Sequence, residues 1–489
     1  MRPFRFALNP ILLKELRQSV RSRFVSVSYC LFLLLLVVVT GFVVWIGATE
    51  IHRDPGAMFG TGRTLFQALF VPLSIVCMLF VPSYAGIRMA VERGDQHLDL
   101  QFVTRLTPGS ILRGKLLAAC SLIILMASAA LPFLTLTFRL GGIDLPSAFV
   151  ILAMLPMAGA FATVFALTLA TLPGSRVWRV ILGLIGGIVL FVWMIMLNTS
   201  AFGMVEFGVG SRIATAEFWR GTLFFFLGGV TLGGLLFSLA TARMSPPAAN
   251  RALPVRLWGA GSWVATGLIF ATIAFVEHDE DYLIPWLVFS FFLSMAGMAI
   301  AMGERPDFGR RVRRAIPRRR LWRLLAFPFF NGAAPGMLWS VIIGVAAMAL
   351  GGMAGNALSP GGYDSQGIDV MVGLLAYAFA YCQTGMWLWH FVARKKLARG
   401  YAWLLALMLL MLGVVTPILV GLADGSLGRD GYGAWTVGNP FALFDDKHRF
   451  EGLLFVAIWC MVLLAPWLFW TFKAWRAFQP LDTSKPEQP

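Results

Sequence analysis

Twelve apolar stretches, each long enough to cross the hydrocarbon core of a bilayer, constrain this chain more than any other feature. A spanning helix needs about 20 predominantly apolar residues. Such stretches lie at 24–47, 64–86, 116–138, 147–172, 177–199 and 221–241 in the first half. In the second half they lie at 257–276, 283–302, 336–354, 368–391, 401–423 and 451–472. Hydrophobic residues make up 58% of the 489-residue chain and charged residues only 13%, whereas soluble domains carry about 25% charged residues. A water-soluble core cannot hide that much apolar surface. The expected fold is therefore all-α and polytopic, an integral membrane protein with about 12 transmembrane helices. The first run exceeds the roughly 7–15 residues of a signal-peptide core, so it is expected to stay as a span.

The net charge of +16 is compatible with nucleic-acid binding, but the basic residues are dispersed among the apolar runs. A positive-inside bias explains them better, and no nucleic-acid partner is expected. With both termini inside, the cytoplasmic segments together with Arg179 at the edge of the fifth span hold all but eight of the 40 Lys and Arg residues. The exceptions are Arg53, Arg63, Arg139, Arg212, Arg220, Arg429, Lys447 and Arg449. The expected location is the cell membrane, the inner membrane if the source is bacterial, with cytoplasmic N- and C-termini. Arg310, Arg311, Arg313, Arg314, Arg318, Arg319 and Arg320 form the densest anchor, a topology determinant in contact with anionic membrane lipid. No Asp, Glu, Lys or Arg falls in the middle of a span. Ionisable groups there usually mark ion or proton pathways, so their absence argues against a proton-coupled carrier, a pump or a cation channel.

The pattern divides the chain into an interfacial helix at 1–23, a six-span module at 24–241 and a cytoplasmic linker at 242–256. A second six-span region follows at 257–476, then a polar tail at 477–489 expected to be disordered. In the first segment Asn9 suits an N-cap and Pro10 the first helical position. Leu12, Leu13, Leu16 and Val20 form an apolar side, and Lys14, Arg17, Gln18 and Arg21 a polar one. That is an amphipathic helix suited to the cytoplasmic bilayer surface. Helix-borne Pro72, Pro82, Pro132, Pro156, Pro285 and Pro417 permit kinks. Gly183, Gly186, Gly187, Gly228, Gly229, Gly233 and Gly234 permit close helix approach.

The chain carries no Walker phosphate loop, zinc-protease motif or nucleophile elbow. Cys30, Cys77, Cys120, Cys382 and Cys460 all lie in apolar runs and are expected to act as small buried hydrophobes. His390, beside Trp387 and Trp389, fits an aromatic belt better than a catalytic role. The acidic run from Glu277 to Asp281 contains one His and reads as an external loop rather than a metal site. No catalytic, cofactor or metal residue is expected, and the chain itself is not expected to be an enzyme.

Two stretches resemble a known family. Asn9-Pro10-Ile11-Leu12-Leu13-Lys14-Glu15-Leu16-Arg17 is similar to the start of type-2 ATP-binding-cassette (ABC) transporter permeases, where it forms the interfacial elbow helix. Between Arg88 and Lys115, a second stretch resembles the family's cytoplasmic coupling helix between spans two and three. Its matching residues are Glu92-Arg93, Leu98-Asp99-Leu100, Thr104, Leu106-Thr107-Pro108, Ile111 and Gly114-Lys115. His97, Arg105 and Gly109 depart from the family pattern. The resemblance covers about residues 9–241; Asn439-Pro440-Phe441 is similar to a late motif of some members. Spans seven to twelve are either a degenerate second permease half or an accessory bundle.

The resemblance implies a permease subunit of an exporter powered by a separate ATPase subunit, a dimer that binds the ATP and Mg. A second permease copy is a further possible partner. The implied coupling residues are Glu92, Arg93, Leu98, Asp99, Leu100, Phe102, Arg105 and Leu106, with Leu98, Leu100 and Phe102 packing on the ATPase and Glu92, Arg93 and Asp99 pairing with it. Asn9, Pro10, Lys14, Glu15 and Arg17 belong to the elbow. Three other classes compete: an ion-independent secondary carrier, a non-transporting scaffold that recruits an ATPase, and a membrane-embedded lipid-modifying enzyme.

Overall fold

A computed structural model describes residues 9–51, 57–94, 107–141, 143–172, 176–208, 210, 212–246, 248–305, 308–359, 366–395, 397, 399–423, 438–444 and 448–481. Among the described residues there is no strand, and twelve helices are long and apolar enough to cross a membrane. The protein is an all-α polytopic membrane protein. Its chain forms two compact units, Met1–Ser245 and Pro246–Pro489.

Unit 1 contains α1 (Pro10–Arg21), α2 (Arg23–Ile51), α3 (Ala57–Ile75), α4 (Val81–Gly94), α5 (Pro108–Arg139), α6 (Leu145–Ala170), α7 (Arg176–Phe207) and α8 (Ala216–Met244). A π-helical turn, Val76–Phe80, joins α3 and α4 into one span. Pro82 explains the turn: it lacks an N–H, and in an α-helix its ring would press on the carbonyl four residues back. The Val81 N–H instead reaches the Val76 carbonyl five residues back, which lets the helix pass the proline without losing its ladder. The second and fourth spans are central, with 56% of their most apolar window buried, against 17% for the first, fifth and sixth. Phe66, Phe70, Leu73, Ile123 and Leu155 make the core. Leu34, Val38 and Phe42 on α2 point outward, as expected where lipid is the solvent.

Unit 2 contains α9 (Ala252–Glu277), α10 (Ile284–Gly303), α11 (Arg310–Arg314), α12 (Arg320–Ala326), α13 (Ala333–Leu358), α14 (Gln366–Leu388), α15 (Ala402–Ala423) and α16 (Arg449–Ala477). A second π segment, Trp389–Ala393, extends α14. Here α13 and α14 are central, and α15 is peripheral with 6% of its window buried. His278 adopts a left-handed conformation and ends α9, and Asp279 caps the following short turn.

The helices overrun the apolar windows because backbone hydrogen bonding continues wherever an end is capped. Helix α5 starts at Pro108, well before residue 116, with the Thr107 side chain accepting from the Ser110 N–H. Helix α8 runs to Met244 and α9 begins at Ala252, so helix occupies much of the expected linker 242–256. Pro72, Pro132, Pro156 and Pro417 are helix-internal, whereas Pro285 stands in the first turn of α10. Gly186, Gly229 and Gly233 lie against Leu169, Met157 and Phe161, while Gly183, Gly187 and Gly228 have open space beside them.

Two expectations need correction. The tail does not leave the fold at residue 477, because Phe478 is fully buried. Its ring packs on Phe330 at 4.8 Å and on Phe327 at 5.3 Å, and the Leu481 N–H reaches the Arg313 carbonyl at 3.3 Å. A single aromatic ring fitted into an apolar notch outweighs the polar composition around it. Residues 482–489 lie outside the described residues. Among the cysteines, Cys77 and Cys382 are buried, but Cys30 is exposed on α2; its apolar surroundings are lipid rather than protein.

Candidate functional site

At one end of unit 1, three segments that are far apart in sequence meet. The elbow helix α1 arrives first. Asn9 accepts from the Ile11 N–H at 3.1 Å, which makes it the N-cap, and its amide donates to the Ser110 carbonyl at 2.8 Å. One side chain thus starts α1 and fastens it to α5. Ile11, Glu15 and Ser19, spaced by four, are the buried face. The stripe of Leu13 and Val20 is exposed, and so are Lys14 and Arg17. The helix therefore has a protein-facing side that its hydrophobic pattern does not reveal. Gly114 of α5 makes the close approach possible: a Cβ there would stand 2.8 Å from the Ile11 side chain.

A four-membered charge network lies on this contact. Lys115 Nζ is 2.7 Å from Glu15 Oε1 and 2.8 Å from Glu92 Oε2. Arg88 is 3.3 Å from Glu15 and 4.0 Å from Glu92. Arg88 also donates to Gln18 and, at 3.2 Å, to the Tyr84 hydroxyl, and its guanidinium lies over the Tyr84 ring. Glu15 and Lys115 are each 5% exposed. Two acids and two bases make the group neutral. This matters because an uncompensated charge at such burial costs several kcal/mol. Ile11, Met89, Ile111, Leu112, Leu167, Ala240 and Met244 pack together beside it, joining α1 to four spans.

Every member of this group is ion-paired to another. It acts as a clamp between the elbow, the end of the second span and the start of the third. Glu92, expected to face an ATPase, is held within the chain by Lys115. The Arg93 side chain and Leu98, Asp99, Leu100, Phe102, Arg105 and Leu106 lie outside the described residues. The clamp nevertheless brackets them: α4 ends at Gly94, and Thr107 caps α5.

Elsewhere in unit 1, Asp144 caps α6. Burial raises its pKa, but donors outweigh burial: the Ser147 hydroxyl and N–H, and the Gly210 N–H at 2.9 Å, hold the carboxyl below its usual value.

Unit 2 has its own buried charge. Arg256, 5% exposed, pairs with Glu304. It also donates to the carbonyls of Pro328, at 2.8 Å, and Phe330. Glu304 in turn accepts from the Gly332 N–H at 2.8 Å. Asn331 completes the turn by accepting from the Ala252 N–H at 2.7 Å and donating to the Ala249 carbonyl at 3.1 Å. Nearby, Arg310, Arg311, Arg313, Arg314, Arg318, Arg319 and Arg320 are all exposed, while Val312 and Ile316 between them are buried. Leu321, Trp322, Leu324 and Leu325 follow and are exposed, so cations and bare apolar groups alternate as an interfacial segment requires.

Sequence reasoning named Arg88 only as the limit of a polar stretch and Lys115 as its other limit and the last residue of the permease-like pattern; the structure makes them the cationic half of the clamp. The available signal was the balance of two acids and two bases across the motifs. It also passed over two buried amides. Asn198 donates to Ser74 Oγ and the Met194 carbonyl, both at 2.8 Å, and Gln383 is fully buried. A search of the spans for amides as well as charges would have found both. In comparisons with known proteins, no family model, curated protein or solved structure matches the chain.

Proposed function

We propose that the protein is the permease subunit of an ABC-type exporter, driven by ATP hydrolysis on a separate ATPase subunit that approaches from the cytoplasm. One observation carries this reading. The two stretches that resemble permease motifs converge on one clamp, made by Glu15, Arg88, Glu92 and Lys115 and fastened by Asn9 to Ser110. A force applied to residues 95–106 acts on two helix ends that are ion-paired to each other and to the elbow. Spans two and three and the interfacial helix then move together. In this role Leu98, Leu100 and Phe102 pack in a groove of the ATPase, Asp99 and Arg105 pair there, and Glu92 transmits the movement to Lys115 without leaving the chain.

The test is purification of the full-length protein from its native membrane under mild conditions. An ATPase subunit should accompany it in stoichiometric amount, and Leu98→Ala with Phe102→Ala should reduce that association while leaving the melting temperature unchanged. Recovery of the chain without any nucleotide-hydrolysing partner would remove the proposal.

A further inference from the structure

The two halves of the second span are held by different neighbours. The first half, α3, is pinned to the fifth span: Asn198 of α7 donates to the Ser74 hydroxyl at 2.8 Å, and both residues are buried. Helix α7 contains no proline, so the pin rests on an unbroken rod. The second half, α4, lies against the fourth span. A Cβ on Gly86 would stand 3.2 Å from both the Cβ and the carbonyl oxygen of Ala166. Met89 shares a buried cluster with Leu167. The two helices run side by side toward one end, where Arg88 and Glu92 enter the clamp.

Between pin and clamp stands the π-turn Val76–Phe80, and its bonding is exchangeable. The Val81 N–H reaches the Val76 carbonyl, five residues back. A regular α-turn would use the Cys77 carbonyl, four residues back. In a wide turn the residue that would claim Cys77 is Pro82, which has no N–H. The Val81 N–H can therefore pass from one carbonyl to the other without displacing another donor. Each exchange changes the pitch of the turn, and so the direction of the helix beyond it. Gly159 leaves room for this, since a Cβ there would stand 3.0 Å from the Cys77 carbonyl oxygen.

The fourth span is interrupted at the same level. Pro156 lies inside α6, less than one turn from Gly159. It withholds an N–H from the ladder, and its ring presses on the turn before it. Two adjacent helices thus share one level at which their ladders are broken, and sharp bends occur at such places. On the clamp side of that level the helices are packed together through Gly86 and Ala166. On the other side Asn198 holds α3.

We propose that spans two and four share a hinge at the level of Val76–Phe80 and Pro156. Residues 81–94 and 157–170 swing about it as one lever with the clamp at its end, while α3 stays on α7. A displacement at the clamp then bends the bundle at this level instead of sliding whole helices. The hinge is built into the helices themselves, so it operates without any partner subunit.

The test measures distances between spin labels in the full-length protein, reconstituted in lipid nanodiscs by itself. Cys30, Cys120 and Cys460 are first replaced by Ala. One label pair, Val71→Cys with Val91→Cys, spans the hinge. The other, Val180→Cys with Ser200→Cys, sits on the proline-free α7; all four positions are exposed. Both pairs are 20 residues apart in sequence, about 30 Å along a helix. The distance distribution across the hinge should be at least about twice as broad as that on α7. Pro82→Ala supplies the missing N–H and should narrow it to the α7 width. Pro156→Ala should also narrow it, because the lever cannot swing on one bent helix alone. Equal widths for the two pairs before any proline is replaced, or a width that Pro82→Ala leaves unchanged, would overturn the hinge. A width that Pro156→Ala leaves unchanged would overturn the shared lever.

Discussion

Both units bury a charged pair at a helix end, but they hold it in different ways. In unit 1 the pairing is side chain to side chain: Lys115 to Glu15 and Glu92, with Arg88 closing the ring. The three segments it joins also meet through Asn9 on Ser110 and through the apolar cluster of Ile11, Met89, Ile111 and Leu112. In unit 2 the pairing is largely side chain to backbone: Arg256 to the carbonyls of Pro328 and Phe330, and Glu304 to the Gly332 N–H. A ring of side chains can exchange partners as its helices move. A guanidinium bonded to a fixed turn cannot, because each carbonyl it leaves is then buried without a donor. The unit 1 ring can therefore keep a pairing if its helix ends shift, whereas the unit 2 pair is tied to one turn.

Substitutions test this difference directly, and the largest effect belongs to unit 2. Arg256→Met should destabilise by about 3–5 kcal/mol, the cost of breaking a buried pair by removing one partner. Adding Glu304→Gln should recover little, since the two carbonyls remain unpaired. Lys115→Met should cost a similar amount or slightly less, because Arg88 still faces Glu15. Here, however, the double variant Glu92→Gln, Lys115→Met should recover more than half of the loss, because Arg88 and Glu15 remain as a neutral pair and no backbone group depended on the ring. Thermal melting of the purified full-length chain measures all four. Equal recovery in both units would erase the contrast.

A smaller effect concerns how tightly the elbow is clamped. Gly114→Ala places a Cβ 2.8 Å from Ile11, and overpacking of this kind costs typically about 1–3 kcal/mol. Ile11→Gly removes both Ile11 atoms that the new Cβ would meet, so Gly114→Ala should cost less in that background than in the parent chain. An equal cost in both backgrounds would show that α1 does not press on α5.

Asp144 gives the smallest effect and serves as a control away from the clamp. Its folded pKa lies below its unfolded value. Its contribution is therefore complete above the ordinary carboxylate range and fades as pH falls through the folded pKa. Asp144→Asn should flatten the acid limb of a melting-temperature profile by lowering its neutral end slightly, while leaving the most acidic end in place. An unchanged acid limb would mean that its capping bonds add nothing.

Much of the architecture was legible because apolar run length answers to one physical quantity. The windows at 24–47 and 257–276 fall inside the helices Arg23–Thr49 and Ala252–Glu277, and Asn9 and Pro10 correctly marked the start of α1. The buried face of α1 was not legible. Leu12, Leu16 and Val20 dominate its periodicity, yet Ile11, Glu15 and Ser19 are the residues that meet the protein. For a helix at a bilayer surface, apolar residues have two possible environments, and pattern alone does not say which one is lipid. Phe478 was missed for the converse reason: a lone aromatic residue in a polar stretch carries no periodic signal.

The sequence by itself determined that this is a chain of membrane-crossing helices with a capped helix before the first of them. The bilayer accepts only segments that are apolar for about 20 residues and hydrogen-bonded within themselves, and both properties are local. Only the tertiary structure decided that Glu15, Arg88, Glu92 and Lys115 form one neutral ring, that Arg256 is held by a turn more than seventy residues away, and that Gln383 is buried with no hydrogen-bond partner among the described residues. Those outcomes depend on which helix ends meet. Packing across a hundred residues of chain settles that, and no short window of sequence contains it.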